Sequence, residues 1–295
     1  MSSQSTAAIE ITQTERSEVT PLPQRPKKVK DHKKVAKINA PAFVRQQVGY
    51  IALFTSWMAG LLYAPALGQD PTSMTALALS MFIVAIFFLI QEPVALLESA
   101  FRENHAYKKR WQPYAWIGAL LVGLLAAGIP LISMRPGIHW LAIPAFALFG
   151  AYLILRRLGA HQIILSMVGF AALAVAAPIG RVAAYPGYTW QELASIWILP
   201  AAFFSLSIMT LHIRRTGESA VNGALYYCGL VVTIIAFLIA VKVMPWIALA
   251  VILLQVVKLG YIATGVEQFR RWPIGSVHMM ETVFAVIFLL FNAFG

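Results

Sequence analysis

The chain has 295 residues, 59% of them hydrophobic and only 12% charged, and carries a formal net charge of +11. Soluble globular domains carry about 25% charged residues, so a mean hydropathy of +0.72 excludes that class and indicates a polytopic membrane protein. The apolar runs are continuous, which excludes a transmembrane barrel of alternating strands. The predicted fold is all-α, a polytopic transmembrane helix bundle, because lipid offers no partner to open backbone groups.

Residues 1–42 read as a disordered basic cytoplasmic tail, and residues 43–295 as a single transmembrane helical domain. The tail is polar and ends in a dense basic run, Arg25-Pro26-Lys27-Lys28-Val29-Lys30-Asp31-His32-Lys33-Lys34. Such a segment buries too little apolar area to fold alone. Each basic residue near an anionic leaflet contributes about 1 kcal/mol, so contact with anionic lipid is expected of it. Nucleic acid is not an expected partner, since the basic residues sit in the tail and short loops. Ala64-Pro65-Ala66 resembles a cleavage site, but more than 40 residues precede the apolar run. That run is therefore read as a retained first helix rather than a signal peptide.

Nine apolar segments follow, at about 48–66, 73–97, 113–133, 137–155, 161–180, 190–211, 219–243, 245–263 and 276–294, each approaching the ~20 residues that cross the hydrocarbon core. Pro130, Pro144 and Pro200 are expected to interrupt the third, fourth and sixth. Nineteen of the 23 Lys and Arg residues fall on one side of this nine-span topology. They lie in the tail, at Arg102, Lys108, Lys109 and Arg110, and in the pairs Arg156-Arg157, Arg214-Arg215 and Arg270-Arg271. Arg135, Arg181 and Lys242 lie in short loops on the other side, the second of these running from Arg181 to Thr189. The positive-inside rule then gives an N-in, C-out orientation in the plasma (inner) membrane of a prokaryote. Tyr and Trp cluster near segment ends (Trp111, Tyr114, Trp116, Trp140, Tyr185, Tyr188, Trp190, Trp246, Trp272), the aromatic belt of a membrane interface.

Ionisable groups at bilayer depth cost about 2.5–3.5 kcal/mol on insertion scales, so each asks for a reason. Glu92 and Glu98 lie late in the second segment. His212, Arg214 and Arg215 close the sixth. Glu218 and Asn222 are four apart at the start of the seventh, on one helix face. Gln255 and Lys258 are three apart in the eighth, and His278 and Glu281 three apart in the ninth. Glu92, Lys258, His278 and Glu281 are expected to line a cavity open to the cytoplasm. The plainer readings are that Lys258 snorkels to headgroups or pairs with Glu281 for packing alone, and that His105, His161 and His212 are interfacial loop residues. The lone cysteine, Cys228, is read as a packing residue. One His-x-x-Glu pair does not make a di-iron site, which needs two copies and further carboxylates, so no metal is expected. Dinucleotide, P-loop, His-Glu-x-x-His and Gly-x-Ser-x-Gly signatures are absent, and no catalytic residue is identified.

Residues 43–295 resemble the YwiC-like family of bacterial integral membrane proteins. The likeness rests on Ser207-Ile208-Met209-Thr210-Leu211-His212-Ile213-Arg214-Arg215 and on Pro273-Ile274-Gly275 before Glu281. Where that family has a Glu-His-Gly-Ala-Trp type motif, this chain has Arg45-Gln46-Gln47-Val48-Gly49-Tyr50, so no role of an acid–histidine pair carries over. The topology also resembles intramembrane prenyltransferases related to UbiA, which hold Mg²⁺ and pyrophosphate on Asp-rich motifs. Only two aspartates exist here, Asp31 and Asp70, in the tail and an outer loop.

Three functional expectations follow. The first is an accessory or lipid-binding membrane protein with a cytoplasm-facing polar cavity, membrane lipid as its partner and no cofactor. The second is an enzyme acting on an isoprenoid or other lipid, in which Glu92, Glu98 and Glu218 would hold Mg²⁺ and Arg214, Arg215 or Lys258 the phosphate. The third is a small-molecule transporter, although no paired halves are visible.

Overall fold

The computed structural model describes residues 47–63, 73–89, 111–185 and 187–294, all within the unit Asn39–Gly295. The basic tail, Glu92 and Glu98 lie outside them. Among the described residues every regular element is helical. Six apolar helical stretches are long enough to cross a membrane: Tyr114–Met134, Ile138–Arg157, Gln162–Ala184, Trp190–Ala240, Ile247–Thr264 and Ile274–Phe294. Gly49–Leu61 and Met74–Phe87 are apolar but shorter.

In chain order the helices are α1 (Gln47–Leu61), α2 (Met74–Leu89), α3 (Trp111–Met134), α4 (Ala142–Arg157), α5 (Gln162–Ala174), α6 (Ala176–Ala184), α7 (Trp190–Thr216), α8 (Val221–Ala240), α9 (Ile247–Thr264), α10 (Val266–Arg271) and α11 (Ile274–Phe294). A 3₁₀ turn, Ile138–Leu141, leads into α4, and another, Gly217–Ala220, joins α7 to α8. The expected interruptions at proline do not occur. α3 continues through Pro130 and α7 through Pro200, while Pro144 lies in the first turn of α4. The break that does occur is at Val175, between α5 and α6. Pro178 has no N–H to give to the carbonyl of Ala174, four residues earlier.

α7 is the central post. Fifteen of its 27 residues are buried, and it packs against α1, α5, α6, α8, α9 and α10. Phe203 and Phe204 on α7 meet Phe288 on α11, with ring centres 4.7 and 6.2 Å away. All nine residues of α6 are buried, where it crosses α1. There the backbones almost touch: a Cβ on Gly180 would lie 2.7 Å from the Trp57 carbonyl oxygen, and one on Gly60 would collide with the Ala177 carbonyl. Small residues that admit such an approach are the usual means of joining helices in lipid. The first and last helices also meet, where Asn292 Nδ2 donates to the Ala59 carbonyl at 2.6 Å.

α7 stops at Gly217, whose φ of 78° suits a residue without a Cβ. Its N–H closes back on the Ile213 carbonyl. This turn gathers charged chain ends. Arg214 Nη2 donates to the Trp272 carbonyl at 2.8 Å, the Arg270 guanidinium lies against Gly217, and His161 faces His212. The turns after α4, α7 and α10 therefore meet at one end of the bundle. At the other end Arg135 Nε donates to the Ala183 carbonyl at 3.3 Å, and Gln191 Nε2 donates to that of Lys242.

Candidate functional site

The ionisable residues singled out in the sequence do not form one cavity in the described part of the chain; they separate into two centres and some outliers. The first centre lies in the core, where α7, α9 and α11 converge. Lys258 is 2% exposed and Glu281 3%. Lys258 Nζ donates to both Glu281 carboxylate oxygens, at 3.0 and 2.9 Å, and to Ser207 Oγ at 3.3 Å. Gln255 Nε2 donates to the same serine oxygen, also at 3.3 Å. The ammonium lies 5.1 Å from the centre of the Phe284 ring, a cation–π distance. Among the described residues the group is electrically neutral, and both its charges are buried. Two buried oxygens beside it in sequence, Gln255 Oε1 and Thr210 Oγ1, have no hydrogen-bond partner among the described residues.

The geometry of this centre follows from helical spacing. Gln255 and Lys258 are three apart on α9 and share a face, and Ser207 and Thr210 repeat that spacing on α7. Three helices thus each present a polar turn to one point. Chemically, this is an ion pair with one hydroxyl as a shared acceptor.

The second centre is a cleft of about 220 Å³ between the start of α5 and the end of α7. Its polar wall carries His161, Gln162, His212, Arg215 and Thr216, and its apolar wall Phe170, Ile208 and Leu211. The two imidazoles are edge to face, with ring centres 6.4 Å apart. His161 caps α5, its Nδ1 accepting from the Ile163 N–H at 3.4 Å, so the neutral ring carries its proton on Nε2. Among the described residues no carboxylate lines the cleft. The guanidinium of Arg215 is always charged, so the cleft is suited to an anion. Two histidines fall short of a metal site, and no cluster of three or more His, Cys, Asp or Glu exists among the described residues.

The remaining predicted residues stand apart. Arg214 turns to the Trp272 carbonyl. Glu218 lies in the 3₁₀ turn and Asn222 at the start of α8, both exposed. His278 is half-buried on α11.

A third polar group was not visible as a site in the sequence. Arg181, read as the first residue of an outer loop, is the sixth residue of α6 and 2% exposed. Its Nε donates to Glu192 Oε1 at 2.6 Å, and its Nη1 and Nη2 donate to the Tyr185 and Gly187 carbonyls. The loop therefore begins one turn later than expected, because this ion pair spans it. The available signal was the presence of opposite charges flanking a short Pro-Gly loop.

No family model, curated protein or solved structure matches the chain.

Proposed function

We propose that the protein is a multi-pass plasma-membrane protein that binds anionic lipid headgroups in the His161–His212–Arg215 cleft, as an accessory, lipid-binding protein. The observation that carries the reading is the composition of that cleft: a permanent cation and two imidazoles on one wall, phenylalanine and aliphatic side chains on the other, and no carboxylate among the described residues. A phosphate esterified to a hydrocarbon chain presents the complementary pair of surfaces. Membrane-facing sites with clustered basic groups recognise such headgroups by electrostatic attraction and charge-assisted hydrogen bonds.

Nine spans, with N-in and C-out orientation, are part of the proposal. They are supported by the meeting of the basic turns after α4, α7 and α10 at one end, which the positive-inside rule assigns to the cytoplasm. Membership of the YwiC-like group and a prokaryotic host also belong to it, resting on Ser207–Arg215 and on Pro273-Ile274-Gly275.

The test is a lipid screen on protein purified from a native extract, with and without Mg²⁺. The expected result is co-purified lipid enriched in anionic species over the source membrane, independent of Mg²⁺, with the enrichment lost in Arg215→Gln. Lipid of bulk composition in the wild-type protein refutes the reading. Retention of a prenyl pyrophosphate that requires Mg²⁺ transfers the assignment to the enzyme alternative.

A further inference from the structure

The headgroup cleft does not stand alone on its helix. A second hollow of about 310 Å³ opens between α5, α7 and α8, nearer the other end of the bundle. The α7 residues that line the two hollows form one stripe. Ile198, Ala201 and Ser205 belong to the apolar hollow, and Ile208, His212 and Arg215 to the polar cleft. Their spacings are 3, 4, 3, 4 and 3 residues, which keeps all six on one face of a helix. At 1.5 Å per residue the stripe is about 26 Å long. α5 supplies the facing wall to both hollows, Phe170 and Ser166 to the cleft, Met167 and Ala171 to the upper hollow. Trp197 seals the upper end of that wall, its Nε1 donating to the Ala171 carbonyl at 2.9 Å. At the junction Ser205 is capped by Tyr227, whose hydroxyl donates to Ser205 Oγ at 2.8 Å, so the one polar group on the apolar part is satisfied.

From this arrangement we infer that the α7 stripe seats a single anionic phospholipid, with its phosphate at Arg215, His212 and His161 and one acyl chain extended over Ile208 and Ser205 toward Ala201. The inference rests on the headgroup reading above and adds the class of ligand and its path. Charge selects the occupant: the stripe is cationic at one end and apolar along the rest, which matches an anionic amphiphile and not a soluble phosphate. Because surrounding lipid is as apolar as the groove, the chain adds little by leaving water. The seat acts by fixing where the chain lies, so the readout must be positional.

The experiment uses the full-length wild-type protein reconstituted with phosphatidylglycerol or phosphatidylcholine bearing the same photoactivatable diazirine acyl chain. Cross-linked residues are then mapped by mass spectrometry. The inference predicts that phosphatidylglycerol labels concentrate on Ile208, Ser205 and Ala201. Phosphatidylcholine labels should scatter over the lipid-facing residues Val122, Leu125, Phe237 and Val257. In Arg215→Gln the concentrated labels are lost. Phosphatidylglycerol labels spread like those of phosphatidylcholine overturn the groove inference, and they leave the headgroup reading standing if Arg215→Gln still abolishes anionic-lipid enrichment. Absence of any enrichment in the wild-type protein defeats the headgroup reading itself.

Discussion

Lys258→Met is the most informative single change to the core. It removes the ammonium that bonds both oxygens of Glu281 and the hydroxyl of Ser207, and leaves a carboxylate 3% exposed with no counter-charge. Breaking one partner of a buried pair costs about 3–5 kcal/mol, comparable to the ~2.5–3.5 kcal/mol for an unpaired charge at bilayer depth. Glu281→Met strands the lysine at similar cost. The double variant removes both charges and fills the space with two flexible apolar chains, and exchanges of that kind are often neutral or stabilising by about 1–4 kcal/mol. The pair therefore predicts strong non-additivity, with the double variant more stable than either single one. The assay is equilibrium unfolding in mixed detergent–SDS micelles followed by circular dichroism, with Val257→Ala on the exposed side of α9 as control. Costs that simply add, or a Lys258→Met variant no weaker than the control, would refute the account of this pair.

Further expectations concern the frame that holds the sites. Gly180→Leu forces a Cβ against the Trp57 carbonyl and is expected to cost about 1–3 kcal/mol by overpacking. Gly229→Ala meets no atom within 4 Å and is expected to be neutral or stabilising by roughly 0.5–1 kcal/mol; the same unfolding assay separates them. Asn292→Leu removes the bond to the Ala59 carbonyl and should loosen α11 from α1 by about 0.6–2 kcal/mol, read as faster proteolysis of the C-terminal helix. For orientation, the single native cysteine, Cys228, is buried and can be replaced by alanine. Single cysteines at Met134 and Trp246 should then react with an impermeant thiol reagent in intact cells, and one at Ser219 only after permeabilisation. The reverse pattern contradicts the N-in orientation.

What could be read from the sequence and what could not differ for physical reasons. The helical class was visible because lipid imposes long unbroken apolar runs, and α3, α7 and α9 fall where those runs lie. The pairing of Lys258 with Glu281 is visible as one of three readings, since charges at depth must find each other. The third partner, Ser207, is not, because a serine in an apolar run carries no mark of what it faces. The cleft joins His161 and His212, 51 residues apart, through the antiparallel packing of α5 on α7, which no local pattern encodes. Arg181 differs from expectation for a related reason: the rule that sorts basic residues into loops has no means of detecting a cation held inside the bundle by Glu192 and two carbonyls. Proline does not mark a break in this chain's long helices, since α3 and α7 carry Pro130 and Pro200 in their interiors.

The most direct test of the central proposal is the affinity of purified protein for phosphatidylglycerol and phosphatidylcholine of identical chains, measured by native mass spectrometry for the wild type and for His212→Ala/Arg215→Gln. Each basic group near a headgroup is worth about 1 kcal/mol, or roughly fivefold in affinity. The account predicts at least that preference for phosphatidylglycerol in the wild type and none in the double variant. Equal binding of both lipids by the wild type, or a preference unchanged in the variant, would contradict it.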